Sequence, residues 1–509
     1  MKNFRNLIPA VLSGVLGGLA WQHSSLALLM WIALVPFFYS LFGHPRSRLS
    51  AWLYGFLFGF VYYGIYFCAL WALYPMDWLG ITPGVSFLTI LCGVIFFSFI
   101  QAFWLGMVSA LTVLVKPGLL RQPLAAACLW VLAEFFQSLS PLGFTGAQIG
   151  VSQYLFPAMI QGASLFGALF VSFIIVLCQS LLASSLLVYC RQRSEFSARG
   201  VLSLALALLV FFLNLAAGYS KLAVTTGSHS PTVKTAIVQG GLSSTRIWDA
   251  EYLAFCSKQY ETLTLQAGRS HPKIIVWPET AVPIQWVADG DLDLMMRELA
   301  DKTQAQILAG AFYQNYNSIL VIDPDHQVLQ LYHKQRLAPF GEFLPFKEFL
   351  EPLLSWLEGG KASYFTLSAG SPLPLLQTDA GPTGSLICFE GIFSDLARGQ
   401  VLAGAESLVI STNDSWFDGT AFQPSLLGQA VFRAVENNRY VVRASSTGIS
   451  ALIDEHGRIL SRLPSGSSGT LSGEITPRQQ LTFFTQYGNV LIFACAGLYA
   501  LLFLNKSHQ

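Results

Sequence analysis

Apolar residues run in long blocks over the first 218 positions and again over 484–504; between them the pattern shortens and alternates. A bilayer-crossing helix needs about 20 mostly apolar residues. The blocks at 7–22, 26–43, 51–73, 85–115, 122–137, 159–189, 200–218 and 484–504 are therefore predicted spans. The fourth and sixth exceed a simple crossing, which predicts a tilt or a helix continuing past the bilayer. The fifth is short and carries Glu134. A carboxylate inside a span is a functional candidate; equally, it can sit hydrated or capped near the outer face.

From Thr232 the rhythm changes. TVKTAIVQ alternates and is β-branched, so it reads as a strand, and 250–267 reads as a helix. KIIVWPE is a short apolar run closed by a proline, 291–303 a polar helix, and AQILAGAFY, SILVIDP and QVLQLYHK are strands. The last two are joined by a turn at Asp323-Pro324-Asp325-His326. GSLICFE and ESLVIST are buried strands, 426–438 is a helix, and YVVRAS and ISALIDEHGRIL close with a hairpin at His456-Gly457. Alternating strands and helices with continuous apolar strands predict a layered α/β domain. The chain divides into a membrane domain of about seven spans (1–218), an outer domain (219–483), and a last span with a short tail (484–509).

Composition agrees: 53% of residues are hydrophobic and 11% charged, against about a quarter charged in soluble domains. The charges are unevenly placed. Between Lys221 and Arg478 lie 25 of 28 acidic residues but 19 of 29 basic ones, which makes that stretch a mildly acidic, ordinary soluble domain. The absence of a basic stripe argues against a nucleic-acid partner. Outside it, Lys2, Arg5, Arg46, Arg48, Lys116, Arg121, Arg191, Arg193, Arg199 and Lys506 fall in alternate inter-span segments, and the short loops 22–25, 74–84 and 138–158 hold no Lys or Arg. Positive charge stays inside, so both termini are expected in the cytoplasm and 219–483 on the outer face. Residues 1–21 also fit the first two regions of a cleavable signal peptide; its removal would cost one span and leave later orientations unchanged.

Polar residues punctuate the ends of the buried strands: Glu279, Lys334, Cys388 followed by Glu390, and Asn413-Asp414. Sites gather at strand ends in α/β folds. A cysteine is a nucleophile when a base or cation favours its thiolate. A glutamate can move the thiol proton to a leaving group, and a lysine ammonium can stabilise an oxyanion. The three suffice for acyl transfer through a thioester without histidine, metal or cofactor. Taken singly, each has a plainer reading as a small core residue or a loop charge, and periodicity does not say that they converge. The eight cysteines show no CxxC pair and no zinc spacing.

WPET at Trp277–Thr280, YHKQRLAPFGEFLP at Tyr332–Pro345, ICFE at Ile387–Glu390 and STNDSWF at Ser411–Phe417 resemble the nitrilase superfamily. With the spans and RASSTGISALID at Arg443–Asp454, the whole chain resembles the apolipoprotein N-acyltransferase family. The resemblance implies an α-β-β-α sandwich held outside a bacterial inner membrane by a multi-span helical domain. It implies Glu279 as general base, Lys334 as the family's lysine and Cys388 as nucleophile. Glu342 matches a second glutamate, Glu390 the one after the aromatic, and Trp248 a loop tryptophan contributing to activity. Phe389 stands where tyrosine is frequent. The implied reaction takes an acyl chain from a phospholipid, phosphatidylethanolamine in particular, onto Cys388 and then to the N-terminal amine of a diacylglyceryl-cysteine lipoprotein. A monomer and no cofactor are expected, and a free Cys388 argues against a Cys256–Cys388 disulfide. Thr145-Gly146 replaces the family's Pro-Trp, Gln137 stands where arginine is common, and 422–427 lacks a usual histidine and tryptophan. Another membrane-anchored nitrilase-like amidase or acyltransferase, or a non-catalytic lipid-binding protein, remains an alternative.

Overall fold

The computed structural model describes residues 6–139, 142–191, 198–223, 231–243, 250–325, 330–348, 366–372 and 374–504. Trp248 and the turn residue His326 lie outside them.

The apolar blocks fold as helices. These are α1 (Ile8–Gln22), a 3-10 segment (Ser24–Trp31) leading into α2 (Val35–Gly43), α3 (Arg48–Phe67), α4 (Pro83–Thr112), α5 (Arg121–Leu139), α6 (Ala168–Arg191) and α7 (Ala198–Ala223). Among the described residues, five helical stretches are long and apolar enough to cross a membrane: Ser24–Gly43, Arg48–Leu73, Pro83–Thr112, Ala168–Arg191 and Ala198–Ala223. Ile8–Gln22 and Val490–Leu504 are shorter apolar helices. The long fourth block is one helix of 30 residues. The long sixth block is broken instead. Two short turns, Pro157–Ile160 and Ala163–Phe166, precede Gly167, whose φ of +75° no helix accepts, and α6 starts after it. A Cβ at Gly167 would also stand 2.7 Å from the Phe484 ring.

The segment that follows α7 folds as a two-sheet sandwich. Its elements are β1 (Val233–Gln239), α8 (Ala250–Gly268), β2 (Ile274–Val276), β3 (Gln285–Trp286), α9 (Asp291–Thr303), β4 (Gln306–Tyr313), β5 (Tyr316–Ile322), β6 (Gln330–His333), β7 (Leu376–Thr378), β8 (Gly381–Ile387), α10 (Ser394–Leu402), β9 (Ser407–Thr412), α11 (Phe422–Asn437), β10 (Val441–Ser445), β11 (Ser450–Ile453), β12 (Ile459–Leu463) and β13 (Gly469–Ile475). The last helix, α12 (Val490–Leu504), returns to the membrane helices and packs on α5. The first sheet runs β13-β1-β2-β4-β5-β6, with β3 on β4; the second runs β12-β11-β10-β9-β8-β7. The expected helix at 426–438 begins four residues earlier, because Pro424 falls in the first turn, where its missing N–H costs nothing.

Three apolar layers follow. Tyr260, Trp277, Met296, Leu299, Ile307 and Leu320 fill the space between the first sheet and α8 and α9. Ile237, Val276, Leu308, Ile387, Val409 and Val442 fill the seam between the sheets. On the other side of the second sheet, Leu408, Ile410, Leu427 and Val431 share one continuous core with Trp130, Val151, Ile160 and Ile175 of the membrane part. The catalytic-type strand ends thus lie in a seam whose far wall is continuous with the membrane helices.

Candidate active site

Glu279 leaves the end of β2 through Trp277 and Pro278. β4 clasps this exit: the Gly310 amide donates to the Pro278 carbonyl at 3.2 Å, and the Gly310 carbonyl accepts from Ala281 at 3.1 Å. A Cβ at Gly310 would sit 2.4 Å from the Pro278 oxygen and 2.5 Å from the Glu279 Cα, so only glycine allows this approach. Lys334 follows β6. Its amide donates to the Asn317 carbonyl at 2.8 Å, and its own carbonyl accepts from Gly370 at 2.7 Å.

The side chains converge. Lys334 Nζ donates to Glu279 Oε1 at 3.0 Å and to Glu342 Oε1 at 2.9 Å. Asn317 Nδ2 bridges the same two oxygens, at 2.7 Å to Glu279 and 2.8 Å to Glu342. Glu279 Oε2 accepts from the Asn413 amide at 2.8 Å, and Glu342 Oε2 from the Ala338 amide at 2.7 Å. Glu279, Asn317 and Lys334 are buried. Burial alone would lower the lysine's proton affinity, but the Glu279 and Glu342 carboxylates raise it well above the ordinary value, so the ammonium persists.

Cys388 is the first residue past β8 and opens a 3-10 turn, Cys388–Ile392. Its φ is +50°, a left-handed conformation that costs a non-glycine residue on the order of 1–3 kcal/mol unless its surroundings hold it. Glu390 supplies much of that hold. Its Oε2 accepts from the Ile387 amide at 2.7 Å and from the Tyr332 hydroxyl at 2.9 Å. Its Oε1 accepts from the amides of Gln335 at 2.6 Å and Arg336 at 3.1 Å. One buried carboxylate therefore ties the Cys388 turn to the segment following Lys334. Burial pushes the Glu390 carboxyl up to about 7, against the pull of these amides and of Lys334.

The Cys388 thiol is partly buried. Burial, and then the Glu279 charge, push it above its ordinary value, while Lys334 pulls it down. The thiol is therefore protonated at neutral pH, and attack requires a base at the moment of bond formation. Thr412 donates to Asp414 Oδ1 at 2.7 Å, and Asp414 Oδ2 takes Arg443 Nη2 at 2.6 Å. Phe389 packs edge-on against Phe393, centroids 5.1 Å apart. Neither Cys256, which is buried, nor Cys388 is in a disulfide.

Glu134 is elsewhere. On α5, it accepts from Trp130 Nε1 and from the Ile149 amide, both at 3.0 Å, and so caps a loop of the membrane part. Gln137 pairs with the Tyr63 hydroxyl at 2.9 Å, not with Glu134. Asn317 and Thr412 were not singled out in the sequence. Asn317 carries a signal: a buried amide inside an apolar strand must find partners.

A two-sheet α/β sandwich with Glu, Lys and Cys at neighbouring strand ends is the architecture of a carbon–nitrogen hydrolase, and the carbon-nitrogen hydrolase family model matches residues 234–481. The model of the apolipoprotein N-acyltransferase N-terminal domain matches residues 13–181. The apolipoprotein N-acyltransferase of Geobacter metallireducens is 31% identical, with 99% of this chain aligned to 97% of that one. That of Gloeobacter violaceus is 30% identical over 90% of this chain and 85% of its own; that of Haemophilus ducreyi is 27% identical over 99% and 98%. The chain belongs to the apolipoprotein N-acyltransferase family and is a bacterial membrane acyltransferase. Among solved structures, yeast Nit3, a nitrilase-superfamily member, aligns with 48% of this chain and 90% of its own at 19% identity and a TM-score of 0.38. The Caenorhabditis elegans NitFhit protein aligns with 55% of this chain and 66% of its own, with the same identity and TM-score. Scores this low add nothing to the fold already described.

Proposed function

We propose that Cys388 carries the acyl group as a thioester between a membrane phospholipid and the N-terminal amine of a diacylglyceryl-cysteine apolipoprotein. The observation that carries this reading is the single buried network joining Glu279, Lys334, Glu342 and Asn317, with Cys388 on a held, left-handed turn beside it. In the first half-reaction Glu279 takes the thiol proton as Sγ attacks the ester carbonyl. The oxyanion forms near the Lys334 ammonium. The ester C–O bond then breaks, and the proton passes from Glu279 to the lysophospholipid oxygen. In the second half the lipoprotein amine attacks the thioester, gives a proton to Glu279, and the C–S bond breaks to restore the thiol. Glu342 and Asn317 hold Lys334, and Glu390 holds the turn.

Phosphatidylethanolamine is the proposed donor and a monomer the proposed working form. A site above an apolar helical base receives an acyl chain without drawing it through water, where each exposed methylene costs about 0.8 kcal/mol. We place the outer domain, 219–483, in the periplasm between the seven-span part at 1–218 and the last span at 484–509, with both termini cytoplasmic. Ten basic residues in alternate segments against none in the intervening loops support this. Cysteines introduced by Pro45→Cys and Lys302→Cys should label from the inside and the outside respectively; the reverse overturns the orientation.

The deciding experiment is intact-mass spectrometry after incubation with phosphatidylethanolamine. A gain of one acyl chain, absent in Cys388→Ser, supports the thioester. No gain from a folded protein with a free thiol points to another donor.

A further inference from the structure

Helix α11 has no water-facing side: 14 of its 16 residues are buried. Six of these are polar, and four of the six, Ser425, Gln429, Arg433 and Glu436, recur at helical spacing and line one face. Together they reach three distant segments. Ser425 Oγ donates to the Gly146 carbonyl at 2.8 Å, and Gln429 Nε2 to the Thr145 carbonyl at 2.9 Å. Glu436 Oε1 accepts from the amide of Ala168, the first residue of α6, at 2.9 Å, and pairs with Arg433 at 2.9 Å. Arg433 Nη1 donates to the Ile392 carbonyl at 3.2 Å. That same carbonyl accepts from Thr145 Oγ1 at 2.8 Å.

Ile392 is the last residue of the turn that begins at Cys388. Glu390 fixes the turn at its start; Arg433 and Thr145 fix its end, one from α11 and one from a loop of the membrane part. We infer that Arg433 and Thr145 are positioning residues for acyl transfer: by holding the Ile392 carbonyl together they keep the Cys388 thiol in register with the membrane helices. The inference rests on Cys388 being the nucleophile. A buried ion pair is a weak source of stability in itself, whereas a directional bond to the end of a strained turn controls geometry.

The test uses the full chain in phosphatidylethanolamine vesicles and measures single-turnover formation of the acyl-enzyme by mass. Thr145→Val removes the hydroxyl and keeps the shape. It should lower the rate at saturating lipid by roughly tenfold, since a displacement of about 1 Å can cost up to a hundredfold, and leave the half-saturating lipid concentration unchanged. Thr145→Ser should restore the rate. Arg433→Lys should fall between wild type and Arg433→Met; should both arginine variants fail to fold, the threonine pair decides. A wild-type saturating rate in Thr145→Val, equal losses in the valine and serine variants, or an effect confined to the half-saturating concentration each overturns the inference. Failure of the underlying reading looks different: no acyl-enzyme in any form of the chain, with transfer surviving Cys388→Ala, and the inference falls with it.

Discussion

The two layers of the α/β sandwich are built alike and anchored differently. The first sheet with α8 and α9 closes its own core, drawn from residues between Ala236 and Ile322. The second sheet with α10 and α11 has no such private core, because Leu408, Leu427 and Val431 pack into the cluster that holds Trp130 and Ile175. Glu279, Asn317 and Lys334 come from the self-contained layer. Cys388 comes from the layer fused to the membrane helices. The distance between the Glu279 carboxylate and the Cys388 thiol is therefore set across the apolar seam of Val276, Leu308, Ile387 and Val409.

Changes at the seam should have the largest effects. Cys388→Ala is expected to abolish acyl transfer while the chain stays folded in the membrane fraction; residual turnover would remove the nucleophile from the second layer. Glu279→Gln should slow turnover by about 10²–10⁴. The same change removes the charge that pushes the Cys388 thiol up and leaves Lys334 paired with one carboxylate, Glu342, instead of two, so alkylation of Cys388 at a fixed pH near 8 should become faster, not slower. An enzyme both less active and less reactive toward iodoacetamide would contradict the division of labour. Lys334→Ala should cost about a hundredfold or more in the acylation rate, as loss of an oxyanion donor does.

Core truncations compare the layers directly. Leu299→Ala and Leu427→Ala each remove a buried leucine and should cost about 2–5 kcal/mol. By hydrogen exchange, the first should loosen only α8, α9 and the first sheet. The second should loosen α11 together with the membrane helices, and equal patterns would dissolve the distinction. The smallest effect is a pH slope. Glu390 is protonated more readily in the folded chain, at about 7, than at its ordinary 4.5. Its contribution to stability is then fully present below about 4.5 and is lost as pH rises to about 7, on the order of 3 kcal/mol in all. Glu390→Gln should flatten stability across that window in chemical denaturation; an unchanged slope would assign it to other groups.

Much of this was readable along the chain. The polar helix at 291–303 and the strands that lead to Glu279, Lys334 and Cys388 fall where periodicity put them, the first stopping at Val276, three residues short of Glu279. β13 was not legible: GTLSGEI is small and glycine-rich, and it is a strand because Ile475 pairs with Val233, far back in the chain. The break in the sixth apolar block was hidden as well, since Phe166 and Ala168 are both apolar and only the backbone at Gly167 marks it. Asn317 was passed over inside its strand, and the polar face of α11 had no visible purpose until Thr145, Ala168 and Ile392 were beside it.

The cap on α6 has a consequence in time. Ala168 receives its carboxylate from Glu436, 268 residues later. At roughly 5–20 residues per second of synthesis, the ribosome needs tens of seconds to deliver that partner. Through this interval the first amides of α6 depend on water at the membrane surface. The helix is threaded early and finished late, and its start is the place where a membrane quality-control protease would meet an incomplete chain.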